Sequence, residues 1–116
     1  MNVLVYRKCG TCRKALKWLE ENNVAFDERP IIDEKPSYDE LKEWYAKSGL
    51  PLKKFFNTSG VLYKEMKLKD KLPEMSEEEQ LQLLATDGKL VKRPLVIGDG
   101  FVLVGFKEEE WNEKML

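Results

Sequence analysis

Val3-Leu4-Val5-Tyr6-Arg7-Lys8-Cys9-Gly10-Thr11-Cys12-Arg13-Lys14-Ala15-Leu16 is the stretch whose reading decides the fold. Its first four residues form a short continuous apolar run, the pattern of a strand buried on both faces. The period then changes. Cys12, Ala15, Leu16 and Leu19 fall at i, i+3, i+4 and i+7, which is one apolar stripe of a helix. The spacing predicts a helix over 11–22, ended by Asn22-Asn23. A second strand is predicted over 25–29, its extent limited by Pro30. Strand, helix and strand within about 30 residues make a βαβ unit with a parallel pair.

Outward from that unit, residues 33–36 read as a loop. Ser37 and Glu40 then form a capping box. The helix they open turns Leu41, Trp44 and Tyr45 inward, and Gly49 closes it as a left-handed cap. Pro51 suits a first helical turn, Phe55-Phe56 are expected to be buried, and Asn57-Thr58-Ser59-Gly60 is a turn. Short helical pieces are predicted around Tyr63 and Met66. A second capping box, Ser76 with Glu79, opens a helix through Leu81 and Leu84 that Gly88 stops. Pro94-Leu95-Val96-Ile97 and Phe101-Val102-Leu103-Val104 are two strands joined by Gly98-Asp99-Gly100, whose glycines suit a tight hairpin turn. A last helix, over 107–115, docks through Trp111 and Met115.

The element order is βαβ, a helical insertion over about 37–84, then ββα. This predicts a single α/β domain over 1–116, with a mixed four-stranded sheet of thioredoxin-like (glutaredoxin-like) type. A CxxC between the first strand and first helix of that order is the thioredoxin-like arrangement.

Composition narrows the function. The chain has 116 residues, 42% hydrophobic and 35% charged, with net charge −1. That is an ordinary globule with no electrostatic case for binding nucleic acid or an anionic membrane. No apolar run approaches the ~20 residues of a membrane span. No signal peptide is read at the start, so a cytoplasmic location, where thiols are kept reduced, is expected. There are two cysteines and no histidine. Two thiolates fall short of a four-ligand zinc set, so no metal is expected, and no histidine is there to activate a nucleophile.

The dithiol carries the chemistry. Cys9 precedes a helix whose first turn offers unpaired N–H groups and a partial positive charge, which lower a thiol pKa. Arg7, Lys8, Arg13 and Lys14 lie on either side of it. Cations in the first turn and Glu20 and Glu21 in the last invert the usual charge order of a helix. Local rules that fail together tend to fail at functional sites. The gain would be a stabilised Cys9 thiolate and a seat for an anion. Arg93-Pro94 is the second candidate: in a thioredoxin-like sheet a cis proline there faces the dithiol, so this bond is predicted cis, with Arg93 aimed at the anion seat. The blander readings are a small buried hydrophobe for Cys12, which lies on the apolar stripe, and a solvated arginine for Arg93.

At these residues the chain resembles the arsenate reductase (ArsC)/Spx family. The likeness runs through Cys9-Gly10-Thr11-Cys12-Arg13-Lys14-Ala15, Leu52-Lys53-Lys54-Phe55-Phe56-Asn57-Thr58, Leu90-Val91-Lys92-Arg93-Pro94-Leu95 and Val104-Gly105-Phe106-Lys107-Glu108, and looks closest to a short Spx-like branch. It implies that Cys9 is the nucleophile and Arg93 one of three arginines around it. Gly10, Thr11, Arg13, Lys53 and Pro94 would complete the anion- or substrate-binding set. Lys53 and Lys54 stand in the region of a second family arginine, the third is replaced near Gly105, and a family histidine is Val5. Lysine, a point charge, cannot grip an oxyanion in the bidentate manner of arginine. Cys12 stands where arsenate reductases of this type have serine, which suggests an internal disulfide.

Two functions follow. The first is an arsenate-reductase-like oxidoreductase, regenerated by glutaredoxin, thioredoxin or glutathione, with no cofactor. The second is a redox-sensing regulator of the Spx type that binds the RNA polymerase α subunit. Lys53, Lys54, Lys64, Lys67, Lys69 and Lys71 make the insertion locally basic, with Glu65 and Asp70 opposing, a pattern that reads first as a solvated face. The regulator's contact surface includes a glycine, for which Gly49 is nearby but reads as well as a cap. Spx regulators also carry a tail beyond the last helix that these 116 residues do not include.

Overall fold

A computed structural model describes all of residues 1–116. In chain order it contains β1 (Asn2–Val5), α1 (Gly10–Glu21), β2 (Asp27–Pro30), α2 (Tyr38–Ser48), α3 (Val61–Glu65), α4 (Leu68–Lys71), α5 (Glu77–Leu84), β3 (Leu95–Ile97), β4 (Val102–Val104) and α6 (Glu108–Met115). Tight 3₁₀ turns lie at Leu52–Phe55, Leu72–Glu74 and Gly88–Leu90.

The four strands form one mixed sheet in the order β2-β1-β3-β4. β1 pairs in parallel with β2 and antiparallel with β3, and β3 and β4 are antiparallel. Successive strand side chains point to opposite faces, and β1 fills both. Val3 and Val5 pack with Ala15 and Leu19 of α1 and Trp111 of α6. Leu4, between them in sequence, packs with Leu41, Phe55 and Leu84 of the helical segment on the other face. The sheet is therefore a middle layer, thioredoxin-like, with α1 and α6 on one side and the helices after β2 on the other. No helix is long and apolar enough to cross a membrane.

Both capping boxes are present, at Ser37 with Glu40 and Ser76 with Glu79. Gly49 caps α2 at φ +67°, and Asn23 follows α1 at φ +55°. The β3–β4 hairpin closes with Gly100 at φ +82° and the Gly98 N–H donating to the Phe101 carbonyl at 2.9 Å.

Two expectations need correction. β2 begins at Asp27, not at residue 25, and includes Pro30 opposite Val5. It is an edge strand, where a proline can be tolerated, and Phe26 packs on the α1 side before the strand begins. α5 stops at Leu84, capped by Ala85. Gly88 belongs instead to a 3₁₀ turn, where the Ile31 carbonyl leaves no room for a Cβ.

The segment that leads into β3 is held by the insertion. Phe56 and Val91 form an isolated bridge. The Asn57 N–H donates to the Leu90 carbonyl at 2.8 Å, and the Lys92 N–H to the Phe55 carbonyl at 2.7 Å. These bonds fix the backbone immediately before Arg93.

Candidate redox site

β1 is sealed between two layers and must end where the sheet ends. There the chain turns sharply, with the Cys9 N–H donating to the Tyr6 carbonyl at 2.8 Å. Cys9 is left in extended geometry, φ −88° and ψ 124°, as the N-cap of α1. Its carbonyl already accepts the Arg13 N–H at 3.1 Å, the first bond of the helix. The Cys9 sulfur closes no full cap hydrogen bond, yet the amides of Cys12 and Thr11 face it closely enough to favour its ionised form.

Both thiols are free. Cys9 is half-buried and Cys12 is wholly buried on the helix stripe. Their environments push them apart. Partial burial of Cys9 raises its pKa, but the Cys12 amide, the Arg93 guanidinium, the Cys12 thiol and the Thr11 amide outweigh it, so the net shift is downward. Burial pushes the Cys12 thiol up to about 11; the Tyr6 amide, donating to its sulfur at 3.4 Å, opposes this, while the neighbouring Cys9 adds to it. A thiolate is the attacking species, and these surroundings favour ionisation of Cys9 over Cys12.

Arg93 reaches this site from β3's leading edge. The Arg93-Pro94 bond is cis, as predicted, and Pro94 is buried, its carbonyl accepting the Gly105 N–H at 2.9 Å. The guanidinium carbon lies 5.0 Å from the centre of the Tyr6 ring. Nε and Nη1 are buried and have no acceptor in the protein. Buried donors of a charged group without partners are costly, and here they belong to the arginine that faces Cys9. Nε–H and Nη1–H point to opposite edges of the guanidinium, so they are two separate unpaired donors rather than one bidentate fork.

The other expected residues divide. Gly10 and Thr11 open α1 beside Cys9, both exposed. Lys53 is exposed in the 3₁₀ turn at Leu52–Phe55 and lines, with Thr11, a cleft alongside the dithiol loop. Arg13 folds back, Nη1 donating to the Arg7 carbonyl at 3.1 Å. It braces the loop and is not among the groups that lower Cys9. Arg7 is also turned away, forking onto Glu28 at 2.6 and 2.7 Å. The flanking cations expected to ionise Cys9 are therefore not what does so; two amides, the Cys12 thiol and Arg93, remote in sequence, do. Sequence reasoning missed Tyr6, which stacks under Arg93 and donates its N–H to Cys12. Its signal was a polar-tipped aromatic at the end of an otherwise aliphatic strand, next to the loop.

The model of the ArsC family matches residues 4–114. The chain belongs to the ArsC family. An ArsC family related protein from Bacteroides fragilis, of known crystal structure, is 62% identical with a TM-score of 0.95, covering 97% of this chain and 94% of its own. The uncharacterized protein YusI of Bacillus subtilis (strain 168) is 59% identical over 108 residues, 93% of this chain and 92% of that one. Global transcriptional regulator Spx 1 of Oceanobacillus iheyensis is 31% identical over 103 residues, 88% of this chain and 76% of the regulator. This ArsC-family chain thus has a thiol-redox family behind its dithiol, with a transcriptional regulator among its relatives.

Proposed function

We propose that the protein is a cytosolic thiol–disulfide oxidoreductase of the arsenate reductase/Spx type. The observation that carries this reading is geometric: Cys9 sits half-buried at the start of α1 facing Arg93, while Cys12 is wholly buried on the same helix, and these surroundings move the two thiols in opposite directions. Neighbouring titratable groups driven apart in this way mark division of labour between attacking and resolving partner.

The Cys9 thiolate attacks one sulfur of a disulfide substrate. A Cys9–substrate disulfide forms, and the other substrate sulfur leaves as a thiolate that takes a proton. Cys12 then gives up its proton and attacks the Cys9 sulfur, releasing the second substrate thiol. The protein ends with a Cys9–Cys12 disulfide, oxidised by two electrons, and the substrate is reduced by two. Arg93 favours the Cys9 thiolate and places a positive charge beside the reacting sulfurs. Gly10 and Thr11 shape the loop, and cis-Pro94 sets the backbone beside it. Glutaredoxin, thioredoxin or glutathione would restore the dithiol.

Turnover of the neutral 2-hydroxyethyl disulfide, with thioredoxin or glutaredoxin as reductant and arsenate as a parallel substrate, tests this. The reading expects turnover and a Cys9–Cys12 disulfide in the oxidised protein, identified by mass spectrometry. Absence of that disulfide after exposure to excess oxidant would contradict it. The likeness to Spx 1 supports a second reading: the same disulfide would alter a binding surface for the RNA polymerase α subunit. Co-purification with polymerase that changes between reduced and oxidised protein would favour it.

A further inference from the structure

A cleft of about 780 Å³ runs beside the dithiol loop, with Thr11 on its wall but neither cysteine. One side is the chain around the 3₁₀ turn at Leu52–Phe55, and the other is β4 and the start of α6. Val102, Leu103, Val104 and Phe106 are among the cleft's lining residues. Its rim carries Lys53, Lys54, Lys92, Lys107 and Lys114 against one carboxylate, Glu110. None of these five lysines is in an ion pair within the protein. A chain of net charge −1 thus concentrates unpaired positive charge in one groove, and a groove of one sign raises the local concentration of oppositely charged partners.

The backbone of the groove is also open. β4 is the sheet's edge, with only β3 beside it. Gly98 bonds to Phe101 and Gly105 to Pro94 across the hairpin, so in the same register Leu103 is the hydrogen-bonded partner of Val96. Antiparallel pairs alternate. The N–H and C=O of Val102 and Val104 therefore point away from β3. Such an edge is a template for another strand.

We propose that this cleft docks the protein whose disulfide Cys9 attacks, taking an extended acidic segment of it along β4. The proposal deepens the redox reading and rests on it for the partner's disulfide. Backbone bonds from Val102 and Val104 would hold the segment, its carboxylates would meet the lysines, and Thr11 marks the end at which its sulfur reaches Cys9. An unpaired strand edge along the cleft suits a polypeptide better than a nucleic acid, which would ask for aromatic stacking platforms along the lysines.

The test is binding of a dye-labelled, cysteine-free acidic peptide of about ten residues, roughly 33 Å when extended, to the reduced full-length protein. Its counterpart has Asn and Gln for Asp and Glu. The acidic peptide is expected to bind about tenfold more tightly, as two or three groove ion pairs would give. That advantage should shrink with added salt and disappear in the double variant K54E/K107E. Backbone amide NMR shifts in the wild-type protein are expected to be largest at Val102 and Val104. Equal affinity for the two peptides, tighter binding of a single-stranded oligonucleotide, or shifts centred away from β4 would each overturn the proposal. Because the peptide has no sulfur, binding is read without thiol chemistry. A Cys9 that fails to react contradicts the redox reading, and a peptide that fails to bind contradicts only the groove.

Discussion

The N-terminus of α1 and the N-termini of α2 and α5 are built by opposite rules. α2 and α5 each begin with a complete capping box. Ser37 and Ser76 accept the N3 amide at 3.1 Å, and Glu40 and Glu79 accept the amide of the cap residue at 3.0 and 3.1 Å. Acids fill their first turns. α1 has a cysteine as its cap, no cap hydrogen bond, no acid in its first turn and no base in its last. Its stability comes instead from Cys12, Ala15 and Leu19 buried against the sheet. The difference shows that α1, the helix beginning at Cys9, has neither a side-chain cap nor first-turn acids; α3, α4 and α6 also lack a side-chain cap, but α6 carries three acids in its first turn.

The largest expected effect breaks this comparison at its centre. Cys9→Ser should reduce disulfide turnover to the uncatalysed rate, because the attacking sulfur is gone. Serine is also a better cap than cysteine, so thermal or denaturant unfolding should show an unchanged or higher stability, by about 0.5–1 kcal/mol. Loss of activity accompanied by a comparable loss of stability would place Cys9 among structural residues.

The reciprocal change comes next. Ser37→Ala should lower stability by about 1 kcal/mol in denaturant unfolding, with Ser76→Ala acting in the same direction, and neither should alter Cys9 alkylation. The Glu40 carboxyl sharpens the contrast, since it serves both the cap and Arg29. The Arg29 guanidinium, at 2.7 Å, holds it down at about 2 despite partial burial, with help from the Ser37 amide. A carboxylate lowered on folding stabilises above its unfolded value and loses that contribution as pH falls through its folded value. The Glu40 contribution should therefore be complete above about pH 4.5 and fade towards pH 2. Both side chains are partly exposed, so Glu40→Gln should cost about 1 kcal/mol at neutral pH and flatten the acid limb of a stability–pH curve.

The smallest effect installs at α1 what the other helices have. Thr11→Glu, at an exposed position, places an acid in the first turn, which should stabilise the fold by about 0.3–1 kcal/mol. The same negative charge should slow alkylation of Cys9 at neutral pH. A stabilised variant with an unslowed thiol would separate the helix end from the reactivity of Cys9.

Much of this was legible in the sequence because each signal was local. The aliphatic run of β1, the stripe of Cys12, Ala15, Leu16 and Leu19, both serine boxes and Gly49 are read within a few residues. β2 was less so. Its residues Asp27, Glu28 and Arg29 lie at an edge, two of them exposed, so no apolar alternation marks it, and the neighbouring Phe26 invites an early start. The region after Gly49 breaks into short turns whose bounds depend on tertiary packing of Phe55, Phe56, Tyr63 and Leu68. In the site, Cys9, Cys12 and Arg93 followed from element order and family likeness. Charge counting misplaced Arg7 and Arg13, because which carboxylate or carbonyl a long cationic side chain finds is set by β2 and the loop. The stacking of Arg93 on Tyr6 joins residues far apart in sequence, and no spacing rule connects them.

The most direct measurement is the rate of Cys9 alkylation against pH in the wild-type protein and in Arg93→Ala. The midpoint should lie below that of an ordinary thiol in the wild type and move up when the guanidinium is removed, with Cys12 unmodified across the neutral range. A midpoint at the ordinary thiol value in both proteins would contradict the account.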